Sequence, residues 1–146
     1  PLPAHPVSRQ QHLGDSIMTA MILAPLGRQS VLFTELARLR VQECERVQAM
    51  RVELGKCGAE IVEEGDTLRI SPSALHGATI DTYDDHRMAM CFAILGLIVP
   101  GMRLRDPSCV AKTFPLFFHK LAAPPPHGLG VVLLDGAGKP WTPEQP

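Results

Sequence analysis

The sequence predicts a layered fold of the α/β (α+β) class, and three observations carry that prediction. Val47, Met50, Leu54 and Cys57 recur at helical spacing, one apolar stripe on an amphipathic helix. Two short strand-like runs flank Glu63-Glu64-Gly65-Asp66, the pattern of a β-hairpin with a glycine in its loop. Helical and extended segments then alternate as helix, strand, helix, hairpin, helix, strand, helix, which favours mixed layers over a bundle or a sandwich.

Taken in order, residues 1–14 are rich in Pro, His and Gln with no period, and read as loop or disorder. The chain opens without a Met, and this stretch begins as a fragment would. Residues 16–26 carry Ile17, Met18, Met21 and Ile22 on a short helix, with Asp15 or Ser16 as its cap and Pro25 and Gly27 as its stop. Val31-Leu32-Phe33-Thr34 favours a strand, although periodicity also lets the segment run on as helix. The striped helix spans 43–57 and ends at Gly58. After the hairpin, residues 80–83 are extended. A helix over 85–98, started by Asp84 or Asp85, is apolar nearly all round and so should be enclosed on most sides. Pro100-Gly101 breaks it, 102–105 alternates as a half-buried strand, and 115–121 forms a last helix with Pro at its first position. Residues 122–146 read as a Pro/Gly-rich disordered tail.

Composition narrows the function classes. A length of 146 residues suits one domain with a sizeable core, and a formal net charge of −1 gives no reason to expect nucleic acid. The longest apolar run is about a dozen residues, too short to span a bilayer. Four cysteines lie far apart in sequence, so reduced core thiols in a reducing compartment are expected, with no metal site.

The residues that stand out for chemistry are basic ones beside acidic ones. His86 and Arg87 fall in the first turn of a helix, where the dipole does not favour a cation; either an anion is held there, or Arg87 pairs with a neighbouring aspartate. Glu43 and Arg46, three apart, form either a local ion pair or part of an anion site near a helix start. Lys112 reads alone as surface solvation, and Asp15 as a helix cap.

Three segments change that balance. Thr82-Tyr83-Asp84-Asp85-His86-Arg87-Met88-Ala89-Met90, Arg40-Val41-Gln42-Glu43-Cys44-Glu45-Arg46 and Ala111-Lys112-Thr113-Phe114-Pro115 occur in this order, with a weaker fourth in Gly14-Asp15-Ser16-Ile17-Met18-Thr19. Together they resemble the C-terminal part of the 5-enolpyruvylshikimate-3-phosphate synthase family (3-phosphoshikimate 1-carboxyvinyltransferases), over residues 15–121. The resemblance implies part of an inverted α/β prism built from repeated βαβαββ units. It implies transfer of the enolpyruvyl group of phosphoenolpyruvate to the 5-hydroxyl of shikimate 3-phosphate, with no cofactor. It also implies an N-terminal domain as partner, and a cytoplasmic location (plastid in a plant or alga). By the same resemblance Glu43 is a proton carrier and Asp15 accepts the proton of the acceptor hydroxyl. Arg46 and Arg87 hold the phosphoenolpyruvate carboxylate, His86 lines the pocket, and Lys112 holds the transferred phosphate. Gln42 departs from the pattern: many members have there a Lys that contacts the shikimate phosphate. The alternatives are a non-catalytic remnant or half-enzyme needing a partner, and the related transferase acting on UDP-N-acetylglucosamine.

Overall fold

A computed structural model describes residues 5–142 of the chain. Its main sheet has four strands in the order β1-β2-β4-β3, with β1 at His5–Ser8, β2 at Val31–Thr34, β3 at Glu60–Glu64 and β4 at Thr67–Ser71. β1 runs parallel to β2, with Ser8 opposite Thr34; β4 is antiparallel to both β2 and β3. A second, two-stranded parallel sheet joins β5 (Thr79–Ile80) to β6 (Arg103–Leu104). Parallel neighbours need a crossover, and helix α3 (His86–Leu95) supplies it.

The β1 strand corrects the expectation of loop or disorder over 1–14; residues 1–4 of that segment lie outside the described ones. His5–Ser8 has no hydrophobic alternation to reveal it. It is a strand because the open edge of β2 offers it a backbone partner, and only Ser8 of its four residues is buried. A π-helical turn, Arg9–Leu13, follows at once, with Ser8 Oγ accepting from the Gln11 N–H at 3.0 Å.

Helix α1 is Ile17–Leu23 and buries Ile17, Met18, Met21 and Ile22, the four apolar positions its spacing predicts. A 3₁₀ turn containing Pro25 closes it. The second long helix, α2, runs Arg46–Lys56 and starts three residues later than expected. Glu45 is the reason: its Oε1 accepts from the N–H groups of Val47 (3.1 Å) and Gln48 (3.3 Å), which fixes the helix start there. A 3₁₀ turn, Ala37–Val41, and a bend fill the approach. Val47, Met50, Leu54 and Cys57 are all fully buried, as their stripe predicts. Gly58 stops the helix with φ +90°, a left-handed position that glycine adopts without penalty.

The core lies where α1, α2 and α3 meet the sheet, and Phe33, Leu68 and Ile70 share one buried cluster with Met50, Leu54 and Phe92. Phe92, Met88 and Leu95 are fully buried on α3. That helix stops at Leu95, short of the expected 98, and Leu97 and Ile98 emerge to solvent in the turn beyond it. A smaller cluster of Ala89, Cys109, Val110, Phe117 and Leu121 seats helix α4 (Phe117–Ala122) against α3. Pro115 precedes α4 rather than opening it. Beyond α4 the chain turns back: Leu129 N–H reaches Lys120 O at 3.2 Å, and Val131 N–H reaches Leu121 O at 2.9 Å. Further on, Leu134 forms an isolated bridge to Pro140, and Trp141 N–H reaches Leu133 O at 2.8 Å. Among the described residues, no helix is long and apolar enough to cross a membrane.

Candidate functional site

Two helix N-termini converge, and a buried ion pair joins them. Asp85 precedes α3 in an extended conformation, and its Oδ1 accepts from the Arg87 N–H at 2.9 Å, the capping role the sequence predicts. The same carboxylate also reaches back 39 positions. Arg46, first residue of α2, donates from Nε to Asp85 Oδ2 at 2.7 Å and from Nη2 to Oδ1 at 3.0 Å. Asp85 is fully buried and Arg46 is 2% exposed. Charges this dry persist only when paired and hydrogen-bonded. Burial alone would push the Asp85 carboxyl up, but the Arg46 hydrogen bonds and charge, then Cys44 and the Arg87 N–H, hold it below the usual carboxylate range. Cys44 donates from Sγ to Asp85 Oδ2 at 3.2 Å. Its own thiol is pushed up to about 12 by burial and by that carboxylate, so it is a hydrogen-bond donor and not a nucleophile.

Arg46 has one nitrogen left. Nη1 donates to Gln42 Oε1 at 2.9 Å and lies 3.9 Å from Asp15 Oδ2. Gln42 bridges onward, its Nε2 standing 3.2 Å from Asp15 Oδ2. Asp15 does not cap α1, as the alternative reading of it allowed: Ser16 is the N-cap residue there and makes no side-chain capping bond, while the Asp15 carboxylate is taken by Arg9 and Gln42. Asp15, Gln42, Arg46 and Asp85 thus form one continuous polar chain across the ends of α1, α2 and α3. Arg87, half-buried on the first turn of α3, adds its charge to Asp15. Among the described residues its guanidinium takes no hydrogen bond or ion pair, which leaves a cation free to meet an anion. The His86 Nδ1 is buried without a hydrogen-bond partner among the described residues.

A second group adjoins the first through the turn before Asp85. Tyr83 (φ +56°) and Asp84 (φ +52°) are both left-handed, a rare pair for residues other than glycine. Tyr83 is anchored by its hydroxyl, which donates to the buried Glu53 Oε1 at 2.8 Å. The turn presents Asp84 to Lys112, whose Nζ donates to Oδ2 at 2.6 Å and to the Asp84 carbonyl at 3.2 Å. The Asp84 hydrogen bond raises the Lys112 pKa, and the charge of Glu43 adds to that. Lys112 closes a 3₁₀ turn (Pro107–Lys112) and is not a lone loop lysine. Glu43 is exposed, in the bend before α2, so it does not share a helix face with Arg46. The Glu45 cap, which starts α2 at Arg46, is what places it outside.

Every residue the sequence singles out therefore falls on one of two adjoining groups: Asp15, Arg46, His86 and Arg87 on one, Glu43 and Lys112 on the other. Glu43 and Lys112 are exposed, Asp15, His86 and Arg87 are half-buried, and Arg46 is buried. A groove of about 630 Å³ lies elsewhere, between α4 and the returning tail beside Trp141, and none of these side chains lines it. No cluster of three or more His, Cys, Asp or Glu able to hold a metal ion occurs among the described residues. Sequence reasoning missed Arg9, Cys44 and the second role of Asp85. A doublet of aspartates before a helix signals a cap, whereas a counter-ion 39 residues away leaves no local mark.

The profile of EPSP synthase (3-phosphoshikimate 1-carboxyvinyltransferase) matches residues 6–121. The chain belongs to this family. The match starts upstream of residue 15, where the motifs begin, and so takes in most of β1. Among curated relatives, a 3-phosphoshikimate 1-carboxyvinyltransferase of Laribacter hongkongensis is 46% identical over 114 residues, 77% of this chain and 26% of the relative. One of Nitrosomonas europaea is 47% identical over 115 residues, with the same shares covered. Among solved structures, EPSP synthase from Acinetobacter baumannii superposes with a TM-score of 0.68 at 29% identity, over 74% of this chain and 26% of that one. The EPSP synthase fold is the inverted α/β prism, and the helices and strands above are a portion of it. The chain spans about a quarter of the length of the family members it matches.

Proposed function

We propose that this chain is the C-terminal portion of a 3-phosphoshikimate 1-carboxyvinyltransferase and supplies the phosphoenolpyruvate side of its active site. One observation carries the reading: Arg87, unpaired among the described residues, stands beside Asp15 and Arg46 where two helices begin. Arg46 has Nε and Nη2 bound to Asp85 and Nη1 bound to Gln42, so it can offer a carboxylate only a remaining Nη hydrogen. Arg87 is then the fork that takes the carboxylate in two-point fashion, with Arg46 adding a single contact. Lys112 receives the phosphate as a point charge, exchanging Asp84 for it, and His86 closes the pocket between them.

In the reaction so supported, the vinyl CH₂ of phosphoenolpyruvate gains a proton and the acceptor 5-hydroxyl oxygen bonds to C2. Asp15 takes the hydroxyl proton, and Glu43 is the proton carrier at the methyl carbon. The tetrahedral adduct then loses phosphate as a methyl proton returns to a base. The remaining length of the relatives forms the opposite wall and excludes water, without which these charges act weakly. The half-enzyme alternative is thus part of the same reading. The UDP-N-acetylglucosamine alternative is not favoured, because the relatives named above carry the shikimate activity. The four free thiols suit a reducing compartment, and the reading places the enzyme in the cytoplasm, or in a plastid for a plant or alga.

The test measures phosphate release from phosphoenolpyruvate with shikimate 3-phosphate, for the chain alone and mixed with the preceding portion of the Laribacter hongkongensis relative. Turnover is expected in the mixture only, and is lost in Arg87→Ala. A mixture that associates but uses UDP-N-acetylglucosamine alone, or turns over equally with Arg87→Ala, overturns the proposal.

A further inference from the structure

Arg9 belongs to none of the motifs, yet it makes the closest contact to Asp15. Its Nη2 stands 2.6 Å and its Nε 3.0 Å from Asp15 Oδ1, so two guanidinium nitrogens grip one oxygen. The side chain is 15% exposed and that of Asp15 25%. Arg9 is itself held. Ser8 pairs with Thr34 across the sheet, Ser8 N–H donates to His12 Nδ1 at 2.9 Å, and the Ser8 hydroxyl bonds Glu35. Gly14 closes the turn by donating its N–H to the Arg9 carbonyl. The other carboxylate oxygen, Oδ2, is the nearer one to Gln42 Nε2, at 3.2 Å against 3.5 Å for Oδ1, and lies 3.9 Å from Arg46 Nη1. The two oxygens of Asp15 are therefore inequivalent: one is clamped from the β1 side, and the other faces the polar chain that leads to Asp85.

We infer that Arg9 is a positioning residue for Asp15, fixing Oδ1 and presenting Oδ2 as the oxygen that accepts the proton. This rests on Asp15 being the proton acceptor of the proposed reaction. A carboxylate held by one oxygen keeps a defined direction for the lone pair on the other, and proton transfer depends on that direction. The charges agree with the geometry. Burial is the largest single influence and raises the Asp15 carboxyl, but the Arg9 hydrogen bonds, Gln42 and the charges of Arg9 and Arg87 together outweigh it, so the group stays ionised further into acid. The charged or titratable groups around it are Arg9, His12 and Glu35 on the strand and turn side, Arg46 at the start of α2 and Arg87 on α3. Removing Arg9 leaves the burial penalty with less to oppose it.

The experiment is a pH titration of the Asp15 carboxyl carbon by NMR, on the full chain and on Arg9→Gln and Arg9→Lys, with circular dichroism confirming the fold. Arg9→Gln should move the Asp15 midpoint upward, and Arg9→Lys should bring it back part of the way. An unchanged midpoint in folded Arg9→Gln overturns the inference. Should neither variant fold, the unsubstituted chain still decides it. The Arg9 Nη protons should give separate signals from hindered rotation about Cζ–Nη, and a single averaged signal overturns it equally. In the reconstituted mixture, the acid limb of kcat/KM should shift to higher pH in Arg9→Gln, because a base with a raised pKa is protonated at higher pH. Asp15→Asn separates the two readings: full turnover there removes Asp15 as the base, while the Arg9 titration result stands or falls on its own.

Discussion

Replacing Asp85 by Asn is the most direct trial of the site's construction. Asn keeps the shape and one acceptor, so the cap on Arg87 N–H can survive. The second oxygen becomes an NH₂ group, placed where Arg46 Nε (2.7 Å) and the Cys44 thiol (3.2 Å) already donate, and three donors then face one another. Arg46, 2% exposed, is left with an uncompensated charge; the nearest other carboxylate among its ion pairs is Asp15 at 3.9 Å, which Arg9 already grips. Breaking a buried ion pair from one side costs about 3–5 kcal/mol. Domains are stable by roughly 5–15 kcal/mol in total, so this is a large share of what a chain of this size has. In urea, with a slope of about 1–3 kcal/mol per molar, the unfolding midpoint should fall by at least about 1 M. A loss under about 1 kcal/mol, the range of exposed pairs, would refute the argument that the pair is dry. Adding Arg46→Met to Asp85→Asn should recover stability, since the uncompensated charge is then gone, and a double-mutant cycle reads that coupling directly.

Because Asp85 is held below the ordinary carboxylate range when folded, its contribution is fully present above the unfolded value of roughly 3.9 and is lost as pH falls through the lower folded value. Urea midpoints taken from pH 6 downward should therefore drop below about pH 4 in the unsubstituted chain and converge on those of Asp85→Asn. Gly77→Ala should destabilise by about 1–3 kcal/mol or more, because its Cβ would fall on the backbone of Gly101 and Pro100 where β5 approaches β6; an unchanged thermal midpoint would disprove that close approach. Glu45→Ala removes the only side-chain acceptor capping α2 and should cost about 1 kcal/mol, read by chemical denaturation, with loss of helical signal confined to its first turn.

What could be read from the sequence was what depends on neighbours in the chain. The stripe Val47, Met50, Leu54 and Cys57 is buried as its period requires, and the hairpin turns at Gly65 with φ +57°. What escaped depends on partners far away. β1 exists through pairing with a strand more than twenty residues later, and its four residues show no periodicity of their own. Where α2 begins was misplaced because a glutamate cap at Glu45 is less typical than Ser, Thr, Asp or Asn, so the apolar period was carried back to Glu43. For the candidate site, motif order pointed to Asp15, Glu43, Arg46, His86, Arg87 and Lys112. It said nothing of Arg9, whose reach to Asp15 is set by a π-helical turn that no composition signals.

The arrangement explains why one arginine is paired and the other is not. In the proposed anion site two guanidinium groups and a lysine repel each other, and the start of a helix adds positive potential from its backbone N–H groups. A site built only of those parts would push itself apart before a ligand arrived. Asp85 removes that difficulty at its centre, neutralising Arg46 and capping α3 with the same carboxylate, while its complete burial keeps it from facing an incoming anion. Asp84 does the corresponding job for Lys112, but it is exposed and can be displaced. On the proposed reading the interior carboxylate is permanent and the surface one is exchangeable, so the side chains freest to respond to a doubly charged ligand are Arg87 and Lys112, with Arg46 adding a single contact. On this argument Asp84→Ala should tighten binding of phosphoenolpyruvate to the reconstituted enzyme, whereas Asp85→Ala should weaken it by letting Arg46 and the start of α3 move. Calorimetric titration of both variants distinguishes a displaceable counter-ion from a structural one, and equal weakening by both would show that Asp84 also is part of the frame.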